Sequence, residues 1–176
     1  MPGSTVLFLS DRDAWAIRPF AEADRAALLR LNVDNRPAVA ALDDAGLSEL
    51  LAFGGHHLVA VDRIGAVMGY LLSFPRESDY TDTEICEFRR RLAGPFLYIC
   101  QIVVAQEHRR RRIGRTFYES LLDHALKVGA KTLCCDVNTD PPNPKSFAFH
   151  HEMGFVEIGR GRASDGTGIA YLVRKL

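Results

Sequence analysis

The segment FLYICQIVVA, residues 96–105, is an almost unbroken run of apolar and β-forming side chains, and HRRRRIGRT follows it at 108–116. A run of this kind is the pattern of a strand buried on both faces. From Ile113 onward, Ile113, Phe117, Leu121, Leu122, Ala125 and Val128 recur at helical spacing on one face, with Gly129 placed to stop the helix. A buried strand, an arginine loop and an amphipathic helix therefore form one unit. That unit commits the chain to a mixed α/β architecture.

The flanking segments fit around it. AWAIRPF reads as a strand and AEADRAALLRLNVDN as a helix, with Ala23, Ala27, Leu28 and Leu31 on one face. GLSELLAFG suggests a short helix ended by Gly54 and Gly55. HHLVAVD and AVMGYLLSF read as strands joined by a turn at Asp62-Arg63-Ile64-Gly65. Residues 75–92 are polar and mixed, a loop with some helix. KTLCCDVN is a further strand, and PNPKSFAFHHEMGF is a proline-started helix ending at Gly154. FVEIGRG and GIAYLVRKL close the chain as strands around a turn at Ser164-Asp165-Gly166. No repeat or linker interrupts the 176 residues, so one domain over 1–176 is expected.

Composition narrows the partner. Lys+Arg and Asp+Glu both number 22, giving zero formal charge. Nucleic-acid binders carry a basic surplus because phosphate neutralisation supplies most of their affinity; the arginine run is a local feature that suits a small anion. Apolar runs reach only about ten residues against the ~20 needed to cross a bilayer, and MPGSTVLFLSDRD lacks a basic leader region. No nucleic-acid or membrane partner is expected. Cys86, Cys100, Cys134 and Cys135 show no disulfide or C-x-x-C framework, and are expected to be buried free thiols in a cytoplasmic protein. Adjacent Cys134 and Cys135 on a strand face opposite ways. The pairs His56-His57 and His150-His151 raise a metal site, but no H-E-x-x-H or spaced cysteine pair accompanies them, and no metal is expected.

A loop that enters a helix from a buried strand offers unpaired N–H groups and the positive end of the helix dipole to an anion. Gly114 allows close approach to that backbone, and Arg109, Arg110, Arg111, Arg112 and Arg115 add paired donors suited to phosphate oxygens. A diphosphate fits. Neither a P-loop nor a dinucleotide fingerprint is present.

With RRRRIG at 109–114, the chain resembles the GNAT superfamily of acyl-CoA-dependent N-acyltransferases, which carry an Arg/Gln-x-x-Gly-x-Gly/Ala loop between the fourth strand and third helix. Arg112 stands where the first glycine usually stands. NPKSFAFHHEMGF resembles the family's Asn-x-x-Ala-x-x-Φ-Tyr-x-x-x-Gly-Phe helix, with Ser146 for alanine and His150 for tyrosine. The resemblance covers about residues 14 to 176, and its texture is similar to an uncharacterised bacterial branch of predicted acetyltransferases. It implies a mostly antiparallel central sheet flanked by helices, and acetyl-CoA as cofactor.

By the same resemblance, Ile102, Val103 and Val104 would present backbone groups to pantetheine, with the Val104 amide as an oxyanion donor. Residues 109–116, including Ile113 and Thr116, would hold the pyrophosphate. Asn143 would hydrogen-bond the cofactor, while Ser146 and Phe149 line its arm. His150 takes the place of the residue that protonates the leaving thiolate. A histidine of pKa about 6.5 can donate at neutral pH, or it can simply pack in the helix. No acid lies on FLYICQIVVA, so the general base is unassigned, with Asp136 and Glu84 as candidates.

The acceptor pocket is expected from residues 32–37, 74–90 and 98–101, with Asn32, Asn35, Tyr80, Glu84 and Cys100 as its candidates. Cys100 is not expected to be a nucleophile, since a buried apolar strand does not activate a thiol. Two functions follow: an N-acetyltransferase acting by direct attack of a small-molecule or peptide amine on acetyl-CoA, or a catalytically inactive CoA-binding module. A homodimer is common among proteins of this resemblance.

Overall fold

A computed structural model describes residues 15–176. The opening segment at 1–13 and Ala14 lie outside the described residues. The strands are β1 (Trp15–Pro19), β2 (Leu58–Asp62), β3 (Val67–Pro75), β4 (Phe96–Val104), β5 (Thr132–Asp140), β6 (Val156–Arg162) and β7 (Gly168–Lys175). The helices are α1 (Arg25–Asp34), α2 (Asp44–Ala52), α3 (Thr83–Arg91), α4 (Ile113–Lys127) and α5 (Pro144–Glu152). One sheet runs in the order β1-β2-β3-β4-β5-β7-β6. Its pairs are antiparallel except β4–β5, which is parallel. This is the mostly antiparallel, helix-flanked sheet expected.

Local chemistry sets the element ends. The β2–β3 turn is held by Asp62, whose Oδ1 accepts from the amides of Ile64 and Ala66 at 3.0 and 2.8 Å. Helix α2 begins two residues ahead of the apolar pattern because Asp43 caps it, accepting from Gly46 N at 2.8 Å. Within 75–92, Asp82 caps α3 in the same way through Thr83 N.

Two apolar layers cover the sheet. Ile113, Phe117, Leu121 and Ala125 of α4 pack with Leu97 and Ile99 on one face. Leu28, Leu47, Ile85 and Phe88 of α1, α2 and α3 pack with Phe96 and Tyr98 on the other. Cys135 belongs to the first layer and Cys134 to the second, as strand alternation requires. Two expectations need correcting. Val128 is 52% exposed, because α4 ends at Lys127 and the chain turns through Gly129 at φ +74°. Cys86 is exposed and Cys100 only half-buried, so the thiols are not uniformly interior.

Strand β4 departs from regular pleating at one point that matters. Leu72 pairs with Gln101 but the next residue, Ser73, pairs with Ile99, leaving Cys100 as the extra residue of a bulge. The bulge reverses the alternation of β4. Ile102 and Val104 pack with the α4 layer, alongside Ile99. Val103 and Cys100 lie on the other side. The strand is therefore buried on both faces only over Phe96–Ile99; Cys100, Ile102 and Val104 are half-exposed.

Among the described residues, no helix is long and apolar enough to cross a membrane, and no group of three or more His, Cys, Asp or Glu side chains is arranged to hold a metal ion.

Candidate active site

Pairing of β4 with β5 stops at Ile99↔Cys135, although both strands continue. Beyond that fork they diverge, and a cleft of about 1220 Å³ opens between them. Its size exceeds that of an ordinary drug-sized pocket, which is about 300–1,000 Å³. There is room for an extended cofactor and a second molecule.

The backbone of β4 faces this gap in alternation. Ala105 N donates to Met68 O at 2.9 Å, so that pair is a hydrogen-bonded one and the next pair, Gly69↔Val104, is not. The amides and carbonyls of Val104 and, two residues back, Ile102 are therefore turned away from β3 toward the gap, whereas those of Val103 are engaged with β3.

At one end of the cleft lies the N-terminus of α4. Arg109, Arg110, Arg112, Ile113, Gly114 and Arg115 line it. Arg110 and Arg112 adopt φ +62° and +65°, the left-handed region that glycine enters freely. The loop thus has a glycine-like shape at Arg112 without the glycine. Arg109 is strapped down, donating to Val104 O at 3.2 Å and Asn35 Oδ1 at 2.6 Å. Arg115 pairs with Glu152 of α5. Gly114 has a packing reason for being glycine: an added Cβ would lie 3.1 Å from the Phe149 ring. Arg111 and Thr116 do not line the cleft. Arg111 meets His108 Nδ1 at 3.2 Å, and Thr116 is buried with its hydroxyl donating to Arg112 O.

Helix α5 forms the adjoining wall. The side-chain oxygen of Asn143 caps the helix by accepting from Ser146 N at 3.2 Å, leaving its NH₂ group to the cleft. Ser146, Phe149 and His150 also reach the wall, and so does Lys145, which sequence reasoning missed. His150 is buried. Its Nδ1 lies 2.8 Å from Ser146 O, an acceptor only, so Nδ1 carries the proton; its Nε2 lies 2.7 Å from the Tyr118 hydroxyl, which donates. Burial lowers its pKa below the ordinary 6.5. The imidazole is thus neutral, with Nδ1–H directed at Ser146 O and Nε2 against Tyr118, an arrangement that packs α5 against α4.

The far end of the cleft is acidic. Asp136 is the first β5 residue past the fork, and it accepts from the Tyr98 hydroxyl at 2.7 Å. Burial pushes its carboxyl up to about 6. Glu84, in the first turn of α3, is pushed up to about 7 by burial and then by the carboxylates of Asp136 and Asp82. Asp82 is held low against burial by hydrogen bonds from Tyr80, Glu84 and Thr83. Burial raises Cys100 to about 12, so it stays a thiol.

Tyr80, Glu84, Cys100 and Asn35 line the cleft, but Asn32 stands behind it, almost wholly buried. Asn32 Nδ2 donates to Ala40 O, Tyr70 Oη and Gln101 Oε1 at 2.9, 3.2 and 3.0 Å, and its Oδ1 accepts from Leu42 N at 2.9 Å. The bulge places Gln101 beside it, donating to Ala40 O at 3.1 Å. These bonds tie the α1–α2 connection, which lines the cleft from Asn35 to Leu42, to the central strand.

The Acetyltransferase (GNAT) family model matches residues 18–155. Among solved structures, the chain is similar to Ard1 from Thermoplasma volcanium, with 19% identity and a TM-score of 0.73 over 92% of this chain and 97% of that one. It is similar to the ribosomal-protein-alanine N-acetyltransferase from Brucella melitensis at 26% identity and TM-score 0.65, covering 91% and 99%. Similarity to yncA from Salmonella typhimurium, a putative acetyltransferase solved with its cofactor acetyl-CoA, is 20% at TM-score 0.65, covering 92% and 94%. No curated protein sequence matches the chain. A cleft opened by a forked parallel strand pair, with a cationic helix N-terminus at its mouth, accompanies a family match over most of the sequence: the chain belongs to the GNAT acetyltransferase family.

Proposed function

We propose that this protein transfers the acetyl group of acetyl-CoA to an amine bound in the acidic half of the cleft. The observation that carries the reading is the fork itself. Past Ile99↔Cys135, the inward-facing backbone of Ile102 and Val104 offers a ladder to an amide-bearing arm, and the arginine-lined start of α4 suits a diphosphate. Arg110, Arg112, Arg115 and the first amides of α4 would hold the phosphates; Asn143, Ser146 and Phe149 would border the arm. The Val104 amide would stabilise the oxyanion formed when the amine attacks the carbonyl.

Asp136 is our candidate general base. It stands at the fork, and a carboxylate of pKa about 6 is ionised at neutral pH yet basic enough to relay a proton from a bound ammonium. Its presence favours an active enzyme over an inactive coenzyme-binding module. His150 is assigned a positioning role, holding α5 against α4. We extend the domain over residues 1–176. Free cysteines, two of them buried, support a cytoplasmic setting.

Calorimetric titration with acetyl-CoA should give a saturable signal, and thiol release should require an added amine. No saturable signal at millimolar acetyl-CoA would remove the reading.

A further inference from the structure

The cleft is electrically lopsided. Arg109, Arg110, Arg112 and Arg115 line its α4 end, with Lys145 on the α5 wall and Arg36 in the α1–α2 connection, whereas Asp136, Glu84 and Asp82 line it past the fork and at the start of α3. Carboxylates withdrawn from water ordinarily acquire a cation partner, because leaving the charge unpaired is costly. Here, among the described residues, no Lys or Arg lies within ion-pair distance of any of the three. Asp82 is accounted for as the α3 cap. Glu84 is not: it is 6% exposed, it lines the cleft, and its Oε2 has no hydrogen-bond partner. Its other oxygen accepts only from Ser164 N, at 3.3 Å. The Asp82 carboxyl is its side-chain neighbour: a protonated Glu84 donates to Asp82, but once both are ionised the two acceptors cannot satisfy each other.

Aromatic rings complete the surroundings. Phe53 and Tyr80 line the same half with centroids 5.6 Å apart. Ring faces beside carboxylates favour an alkylammonium or guanidinium over a hydrated metal ion.

Building on the acetyl-transfer reading, we propose that the acceptor carries a second cationic nitrogen, distinct from the one that is acetylated, and that this group binds at Glu84 and Asp82. Asp136, at the fork, serves the reacting nitrogen; the pair at the start of α3 serves the other. The substrate class is an amine with a further positive charge, supplied either by a small aliphatic diamine or by a basic side chain near a peptide amine. When the cation binds, the fraction of Glu84 that is protonated releases its proton.

The test compares butylamine and pentylamine with 1,4-diaminobutane and 1,5-diaminopentane, and short peptides that differ only in a neutral, basic or acidic second residue. The wild-type protein should favour the dication in kcat/KM by about tenfold or more, the scale of one hydrogen-bonded charge. Glu84→Gln should collapse that ratio to within about threefold, and Glu84→Asp should restore part of it. The two arms separate a free diamine from a peptide source. Acetyl-CoA affinity measured on each variant reports whether the cofactor half remains folded. Equal rates for monocation and dication, or a ratio unmoved by Glu84→Gln, would overturn the assignment while leaving acetyl transfer standing. If no amine is acetylated, the acetyl-transfer reading fails first. Calorimetry of 1,4-diaminobutane against butylamine on the CoA-loaded protein, in two buffers of different ionisation enthalpy, still decides the second site: tighter dication binding with proton release supports it, and neither overturns it.

Discussion

The Tyr118 hydroxyl lies 2.7 Å from His150 Nε2 and joins α4 to α5 in the buried layer beside the cleft. Since Nδ1 is the protonated nitrogen, Tyr118 is the donor, and both ring nitrogens of His150 are occupied within the protein. Removing either partner strands the other. Tyr118→Phe should cost about 1–3 kcal/mol in urea unfolding, the range for an unsatisfied buried polar group. The kcat–pH profile of His150→Phe should keep its limbs. Loss of a descending limb in that variant would return His150 to the role of proton donor.

Arg112 adopts a conformation that costs a non-glycine residue about 1–2 kcal/mol. Arg112→Gly should therefore raise the unfolding free energy of the cofactor-free protein by about 1 kcal/mol. Acetyl-CoA affinity should nevertheless fall, with a shallower salt dependence, because the proposed phosphate site loses one cation. An unchanged unfolding midpoint would show that the loop is not strained there.

Asp136 must be ionised to accept a proton, so kcat/KM should rise with pH through about 6 and then level. Asp136→Asn should lower kcat by about a hundredfold or more and abolish that limb. Stability has the opposite sign. A carboxyl whose folded pKa is raised stabilises the fold while protonated, and that contribution is lost as pH climbs from its unfolded value near 3.8 through about 6. Asp136→Asn should therefore be more stable than the parent at pH 7, with the advantage vanishing below about pH 4. Urea titrations at pH 4 and pH 7 measure the difference.

Asn32 is bonded to Ala40, Leu42, Tyr70 and Gln101, so its removal should loosen the α1–α2 connection where it lines the cleft. Asn32→Ala should destabilise by about 1–3 kcal/mol. It should raise KM for the amine more than the dissociation constant of acetyl-CoA. Equal effects on both ligands would mean that the network supports the whole fold and not the α1–α2 connection alone.

The amino-acid sequence by itself determined the strand–loop–helix unit at its centre. Strand and helix periodicities, a helix start with unpaired amides, and a run of arginines are properties of adjacent residues, so the arginine-lined end of the cleft is legible in the sequence. Tertiary structure alone decided the other end. The bulge at Cys100 is one residue without a local signature, yet it reverses the facing of every residue after it and brings Gln101 onto Asn32. Sheet order then gathers Asp136 from β5 and Glu84 and Asp82 from the start of α3, and burial shifts the first two toward neutrality. His150 reads from the sequence as either a proton donor or a packed helix residue, and only the packing of α4 supplies Tyr118, a partner 32 positions away. Local patterns encode which face of an element is apolar; which polar groups meet, and who holds the proton, depends on contacts between residues far apart in the chain.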